Sequence, residues 1–402
     1  MQIRSTTEQD LEVYLETCHA AFGLFVETPV DGGGLWWSAI EMDRGVLAQT
    51  ADGRAVGTAG AYSFELTLPG GGPVPVAGVT AVAVLPSHRR QGVLTAMMRH
   101  QLTELRARGE VMSVLLSSEA LIYRRFGYGP ATYAEKVTVE RHEAAFTPAR
   151  AGAAAQTGSI EVLRRAECGE ILFEVYDRYR RAQPGAVSRP AHWWTSRAGQ
   201  APVSGAPRYI AVHRDADGRP DGYASYLRED RTLTVDEVVA LDEDSATALI
   251  RFTLDHDLAT RVVFKHMPPD HPLRWQLADF RAAQLGGQTD WLWVRLLDVP
   301  AALEARGWIA DGELVLDVED PFLGERSRYL LTVRDGRAAC VPTDQDPDLS
   351  LDVSDLGSVY LGGTVPSTLI RAGHIRAHHP AAGARADALF RADRPPYCVH
   401  WF

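Results

Sequence analysis

The stretch VAVLPSHRRQGVLTAMM, residues 82–98, carries the residue types best suited to holding an anion. Pro86 has no N–H to give to a ladder and ends a strand there. Arg89 and Arg90 fall on the turn that follows, and Gly92 lets backbone come close to a ligand where the next helix begins. A helix N-terminus offers unpaired N–H groups and a dipole that favours negative charge, so a glycine and two arginines at that point suit a pyrophosphate. Taken alone, the arginine pair reads equally well as a solvated face. The spacing is neither Gly-x-x-x-x-Gly-Lys-Ser/Thr nor Gly-x-Gly-x-x-Gly, which sets aside the common nucleotide loops.

Other reactive side chains have plainer readings. Tyr123 and Tyr128 lie in IYRRFGYG, residues 122–129. Tyr128, between two glycines, reads as a turn aromatic that packs, and a lone tyrosine such as Tyr123 is more often structural than catalytic. His88 reads as solvated or capping. His374, His378 and His379 cluster, but with no carboxylate or cysteine at ligand spacing no metal is expected. Asp236 and Glu237 read as a solvated or interface face. Trp36 and Trp37 are pocket-wall candidates, though tryptophans are more often core. The chain closes RADRPPYCVHWF, too apolar for a flexible tail, so its end is expected to be buried.

These residues need elements to hold them. Apolar spacing predicts a helix over 8–21 with Thr6 and Thr7 as cap candidates, and a second short helix around Trp36 to Ile40. Strands are expected over 45–49, 55–68 and 76–85, then a helix from Gln91 to Gly109, a buried strand over 111–116 and a helix near 119–126. The run 78–100 has an echo in VDEVVALDEDSATALIRFTLDHD, 235–257: strand, short turn, helix. Acidic Asp242, Glu243 and Asp244 stand in the echo where the first copy has arginines and a glycine, which reads as a duplicated domain that kept its fold and lost its ligand. After about 290, strands over 312–318, 328–334 and 338–342 precede helices over 353–360 and 365–372.

Composition bounds the function. The 402 residues suit two or three domains, with 46% apolar and 23% charged side chains. The formal charge of −11 argues against nucleic acid and agrees with a cationic small substrate. Among the basic residues only Lys136 and Lys265 are lysines, which reads as codon bias in a GC-rich genome. Cys18, Cys168, Cys340 and Cys398 are widely spaced, so neither a zinc cluster nor a disulfide framework is expected. With no basic-then-apolar leader and no apolar run near 18 residues, a cytoplasmic protein without membrane partners is expected.

The turn Arg89-Arg90-Gln91-Gly92-Val93-Leu94 resembles the acetyl-CoA pyrophosphate loop of GCN5-related N-acetyltransferases (GNAT), with leucine where that superfamily prefers glycine or alanine. Together HRRQGVL, SSEALIYRRFGYGPAT (117–132), DVPAALEARGW (298–308), LGSVYLGG (356–363) and the terminal Phe402 are similar, in order and over the whole chain, to the Eis (enhanced intracellular survival) family. The resemblance implies a mixed α+β fold of tandem GNAT domains followed by a sterol-carrier-protein-like domain: an N-terminal GNAT domain over 1–132, a degenerate GNAT-like domain over 133–292 and the sterol-carrier-like domain over 293–402. It implies a homohexamer and acetyl-CoA as co-substrate without a metal. The cofactor contacts it implies are Val82, Ala83, Val84, Arg90, Gln91, Gly92, Val93, Leu94, Thr95, Ser118 and Glu119.

The resemblance also implies that Tyr123 is the general acid for the CoA sulfur and that the α-carboxylate of Phe402 takes the proton of the amine. The expected reaction is acetylation of primary amines of aminoglycosides at more than one position. Acetylation of lysine side chains in peptides or proteins is the first alternative; a non-catalytic carrier of an apolar ligand is the second. Three departures from the family reshape the expected acceptor pocket. Trp401 stands at the penultimate position and Leu24 after the first helix where acids are usual, with Glu27 and Asp31 as acids that could compensate, and Ala81 replaces an aromatic residue.

Overall fold

The first helical segment opens on a capping box. Asp10 Oδ2 accepts from the Thr7 backbone N–H at 2.8 Å and from its hydroxyl at 3.0 Å. The computed structural model describes residues 1–23, 40–148, 158–190, 194 and 208–402. These form two units: Met1–Thr132 with Trp291–Pro396 and His400–Phe402, and Tyr133–Asp290 with Tyr397–Val399.

In the first unit the chain runs through β1 (Gln2–Ser5), α1 (Leu11–Ala21), β2 (Val46–Gln49), β3 (Ala55–Thr67), β4 (Pro73–Val84), α2 (Val93–Ala107), β5 (Met112–Leu116), α3 (Ala120–Tyr123) and β6 (Gly129–Pro130). The expected helices and strands are present with shifted ends, and β1 is an addition. The expected short helix around Trp36 to Ile40 falls almost wholly in 24–39, outside the described residues. Helix α2 buries two adjoining stripes. Val93 and Met97 pack with α1 and β2–β4, while Met98, Leu102 and Leu105 pack on Ala77 and Val79. Each such fully buried aliphatic side chain is worth roughly 1.5–3 kcal/mol.

The second unit contains β7 (Tyr133–Glu140), β8 (Ser159–Arg164), α4 (Ile171–Ala182), β9 (Tyr209–Arg214), β10 (Pro220–Glu229), β11 (Thr232–Ala240), α5 (Glu243–Leu254), β12 (Arg261–Met267), α6 (Leu273–Gln276) and β13 (Gln284–Asp290). Its sheet has the order β13-β7-β12-β11-β10-β9-β8, and β11–β12 is the parallel pair among antiparallel neighbours. The chain then supplies β14 (Leu292–Leu296), which inserts into the first sheet and completes the order β1-β2-β3-β4-β5-β14-β6. There β4–β5 is the parallel pair. The two sheets share one strand order and set of strand directions, each built around a strand–helix–strand crossing, so the echo read between 78–100 and 235–257 is a repeat of architecture; the sixth strand, counted from β1 or β8, differs in origin, β14 following the other strands of its sheet and β7 preceding those of its own. The expected start of the third domain at 293 falls within β14.

The rest of the first unit holds α7 (Val299–Ala305), β15 (Gly312–Asp320), β16 (Glu325–Arg334), β17 (Arg337–Pro342), β18 (Leu349–Asp352), α8 (Val353–Tyr360), α9 (Pro366–Arg371), β19 (Arg376–Ala377) and α10 (Ala382–Phe390). Its five strands pair in the order β17-β16-β15-β18-β19. Arg306 is 2% exposed and tied to carbonyls at two helix ends: Tyr360 O at 2.5 Å closing α8, and Phe390 O at 3.3 Å closing α10. Burial pulls its guanidinium down to about 10, still charged at neutral pH, where helix C-termini favour a cation. Arg306→Met strips these carbonyls of their donors and is expected to cost roughly 2–3 kcal/mol. Scanning calorimetry would show this as a lower unfolding midpoint.

Candidate active site

The parallel ladder between β4 and β5 pairs Ala77 with Ser113, Gly78 with Val114 and Val79 with Leu115, and then stops. At that level β4 carries one extra residue against β3: Gly60 pairs with Thr80 but Thr58 pairs with Ala83. Ala81 takes φ 52°, the left-handed region, which costs a non-glycine residue roughly 1–2 kcal/mol. The buried Thr58 hydroxyl donates to the Ala81 carbonyl at 2.9 Å and holds the bulge. Beyond it the two strands part, and a cleft of about 720 Å³ opens. Val82, Ala83 and Val84 form one side of it, and Ser118, Glu119, Ile122 and Tyr123 the other.

The start of α2 also lines the cleft, through Arg89, Arg90 and the run from Gly92 to Thr95. Arg90 (φ 63°) and Gly92 (φ 81°) are left-handed, and a Cβ on Gly92 would meet nothing within 4 Å, so backbone conformation and not space calls for glycine. Gly92 is the N-cap and no side chain caps the helix, which leaves its first N–H groups for a ligand. Arg89 donates to Ala21 O at 3.1 Å and Val84 O at 3.3 Å and braces the turn. Gln91 reaches back to Ser87 O at 3.3 Å and is not among the cleft residues, whereas every other expected cofactor residue is. His88 lines the cleft edge with Ser87 Oγ at 2.9 Å from its Nδ1.

Tyr123 is 7% exposed, and burial pushes its phenol up to about 12 against an opposing hydrogen bond from Ser118. Its ring meets Tyr128 edge to face at 6.2 Å, and Tyr128 is a packed aromatic with its hydroxyl 2.7 Å from Ser113 Oγ. Phe402 lies elsewhere. Its ring is buried edge-on against Phe64 at 4.9 Å, and a Cβ on Gly78 would come within 3.3 Å of it. Ala77 and Val79 share a cluster with Tyr123, so Gly78, between them on the strand, faces the opposite side. Tyr123 and Phe402 therefore flank the first sheet from opposite faces. His400 and Trp291 help fix the terminus: His400 O accepts from Trp291 Nε1 at 3.0 Å.

Sequence reading did not single out Thr58, Gly78 or the bulge at Ala81; a threonine in a strand and an alanine in a strand carry no local signal. Leu24, Glu27, Asp31, Trp36 and Trp37 lie outside the described residues. Asp236 and Glu237 correct the expectation of a solvated or interface face. Asp236 pairs with Arg208 and, at 2.8 Å, with Lys265; Glu237 pairs with Arg189 at 2.7 Å. His374 and His378 serve separate contacts, with Arg124 and Ser350, and no group of three metal-ligating side chains converges among the described residues.

The second unit repeats the geometry with its openings filled. The β11–β12 ladder ends at Val235 with Phe264, and Asp236 is the extra residue of the corresponding bulge. The Asp236–Lys265 pair bridges the two strands there. Asp242 caps α5, accepting from Asp244 N at 3.0 Å and Ser245 N at 2.8 Å, so its own carboxylate takes the N–H groups that α2 leaves open.

A parallel pair parting at a bulge beside an uncapped helix start is the architecture of an acyltransferase of the GNAT class. Family models agree: the chain matches an acetyltransferase (GNAT) domain over 2–131, a second over 185–296 and a sterol carrier protein domain over 299–399. It is 34% identical to the N-acetyltransferase Eis of Mycobacterium tuberculosis, covering 97% of each chain, and 36% identical to an uncharacterized N-acetyltransferase of Streptomyces griseus, covering 87% of each. The crystal structure of Eis1 from Mycobacterium abscessus matches over 100% of both chains with a TM-score of 0.86 and 34% identity. The chain belongs to the Eis family and is an N-acetyltransferase.

Loss of the Thr58 hydroxyl tests the bulge. Thr58→Val keeps the shape but leaves the Ala81 carbonyl without its hydroxyl donor, at an expected cost of roughly 1–3 kcal/mol in denaturant unfolding. Thr58→Ser should restore most of it.

Proposed function

We propose that the chain transfers the acetyl group of acetyl-CoA to primary amines of aminoglycosides, at more than one position. The cleft between the parted strands, open at the uncapped start of α2 and flanked by Tyr123, is the observation that carries the transferase half of this reading. The residues suit the cofactor. Arg90 and the N–H groups of Gly92 to Thr95 would take the pyrophosphate, and the backbone of Val82 to Val84 would take the pantetheine arm and polarise the thioester carbonyl. Ser118 and Glu119 border the opposite wall, and Gln91 acts by bracing the loop. The aminoglycoside acceptor follows from the family resemblance and agrees with a chain charge of −11. The same resemblance supports a homohexamer in the cytoplasm and the division at 132/133 and 292/293. Among the described residues no helix is long and apolar enough to cross a membrane.

In this mechanism the amine nitrogen attacks the thioester carbon, the C–S bond breaks, and the amine loses a proton. The Phe402 carboxylate takes that proton as the N–C bond forms, when the nitrogen becomes acidic; against a free ammonium, a carboxylate of ordinary pKa near 3.5 is too weak a base. Tyr123, pushed up to about 12, stays protonated at neutral pH. It is a weak acid toward a thiol of ordinary pKa near 8.5, so its main contribution is a hydrogen bond to the developing thiolate. Placing donor and acceptor on opposite faces lets thioester and amine meet between them.

Purified enzyme with acetyl-CoA and an aminoglycoside panel should release CoA and give products carrying two or more acetyl groups by mass. Turnover with lysine peptides and with none of the aminoglycosides would overturn the acceptor assignment. Adding one glycine after Phe402 should abolish turnover while acetyl-CoA still binds. Tyr123→Phe should lower kcat roughly 100-fold. The alkaline loss of kcat due to Tyr123 should fall near pH 12, not near an ordinary phenol's 10, because burial raises the pKa and extends the protonated range upward.

A further inference from the structure

Tyr123 sits on α3, a helix of four residues, too short to hold its own position. Part of its restraint comes from the sterol-carrier-like part of the same unit. Arg124, the next residue, donates from Nη2 to Asp355 Oδ1 on α8 at 2.5 Å, and Asp355 is 1% exposed. The same nitrogen lies 2.9 Å from His374 Nδ1. Further along, the Phe126 ring meets Phe322 edge to face at 5.0 Å. Phe322 lies in the β15–β16 turn, where Arg99 of α2 sits over its ring and donates to its carbonyl at 2.7 Å. The Phe126 carbonyl accepts from Arg295 Nη1 at 2.6 Å, and Arg295 Nη2 continues to Asp320 at 2.5 Å. There is no slack in this packing: a Cβ on Gly127 would lie 1.5 Å from Arg295 Nη1, and one on Gly129 1.9 Å from the Ser354 carbonyl.

We propose that the sterol-carrier-like domain is a working part of acetyl transfer, holding the Tyr123 hydroxyl at the cleft through the Arg124–Asp355 pair and the Phe322 wedge. Asp355 and Phe322 do not line the cleft, so they are positioning residues. The inference rests on the reading of Tyr123 as the hydrogen-bond donor to the leaving sulfur. A buried carboxylate holds its guanidinium partner with little screening, so the pair transmits position from the rigid α8 to a segment that has no rigidity of its own. Displacing Tyr123 from the sulfur would weaken an interaction made in the transition state while leaving the cofactor walls on β4 and α2 intact.

The test uses the full chain with Asp355→Asn, Arg124→Gln, the double variant and Tyr123→Phe side by side. Asp355→Asn is expected to lower kcat roughly tenfold with KM for acetyl-CoA within about twofold of the parent, since small displacements at the reacting centre cost rate and not cofactor binding. The double variant should be no slower than the slower single one, because both remove one shared contact. Parental kcat in Asp355→Asn and Arg124→Gln beside a slow Tyr123→Phe overturns the inference. So does a raised KM with unchanged kcat, which marks a disturbed cleft. Parental kcat in Tyr123→Phe overturns the reading of Tyr123 itself. Should Arg124→Gln fail to fold because it leaves the buried Asp355 carboxylate unpaired, Asp355→Asn decides alone, because the Arg124 it leaves behind is partly exposed and can be hydrated.

Discussion

A parallel strand pair that stops bonding part-way along its length sets the terms for the rest of this structure. Backbone N–H and C=O groups buried without partners are costly, so strands do not part inside a sheet unless something takes up the freed groups. Past Val79 and Leu115 the edge of β4 that faced β5 is open to the cleft. The bulge at Ala81, pinned by Thr58, turns that edge at the point where pairing ends. Helix α2 begins a few residues later with its own N–H groups uncapped. Two sets of backbone donors thus converge on one space, and a long, thin, anionic ligand is the shape that satisfies both.

In the second sheet the same opening is closed by side chains. Its strand order, parallel pair and bulge correspond to those of the first. Where the first copy has Gly92 at the helix cap, the second has Asp242, and where the first has Ala81 in the bulge the second has Asp236 paired with Lys265. A carboxylate at each point supplies from within what a bound cofactor would supply from outside. Fold and function separate here at a handful of side chains, while the hydrophobic pattern that builds the sheet is untouched.

Buried guanidinium groups act as joints elsewhere. Arg295, fully buried in β14, bonds the carbonyl of Phe126 and the carboxylate of Asp320. Arg306 ties the ends of α8 and α10 together through backbone carbonyls. Charges in such places are expensive to desolvate, and they persist because both terminal nitrogens of each guanidinium find fixed acceptors. Arg295 in particular joins the first sheet, the turn after Tyr123 and the C-terminal strands into one framework.

Local signals in the chain determined the elements that such signals can specify. The 3.6-residue stripe of α2, the proline break at Pro86, the glycine at 92 and the apolar ending at Phe402 each follow from short-range chemistry, and each is where the pattern places it. Ordered motifs along the whole chain determined the family and the element order. Tertiary structure alone decided the facts of long range. Thr58 faces Ala81 because a register slips between two strands; Gly78 is bare because two aromatic rings, one from β3 and one from the terminus, need the space. Asp236 and Glu237 are ion-paired because Arg208, Lys265 and Arg189, remote in sequence, fold against them. Tyr123 and Phe402 stand on opposite faces of one sheet for the same reason. Spacing along a chain encodes period and turn, but a hydrogen bond or ion pair between distant strands depends on register and packing, which no single segment contains.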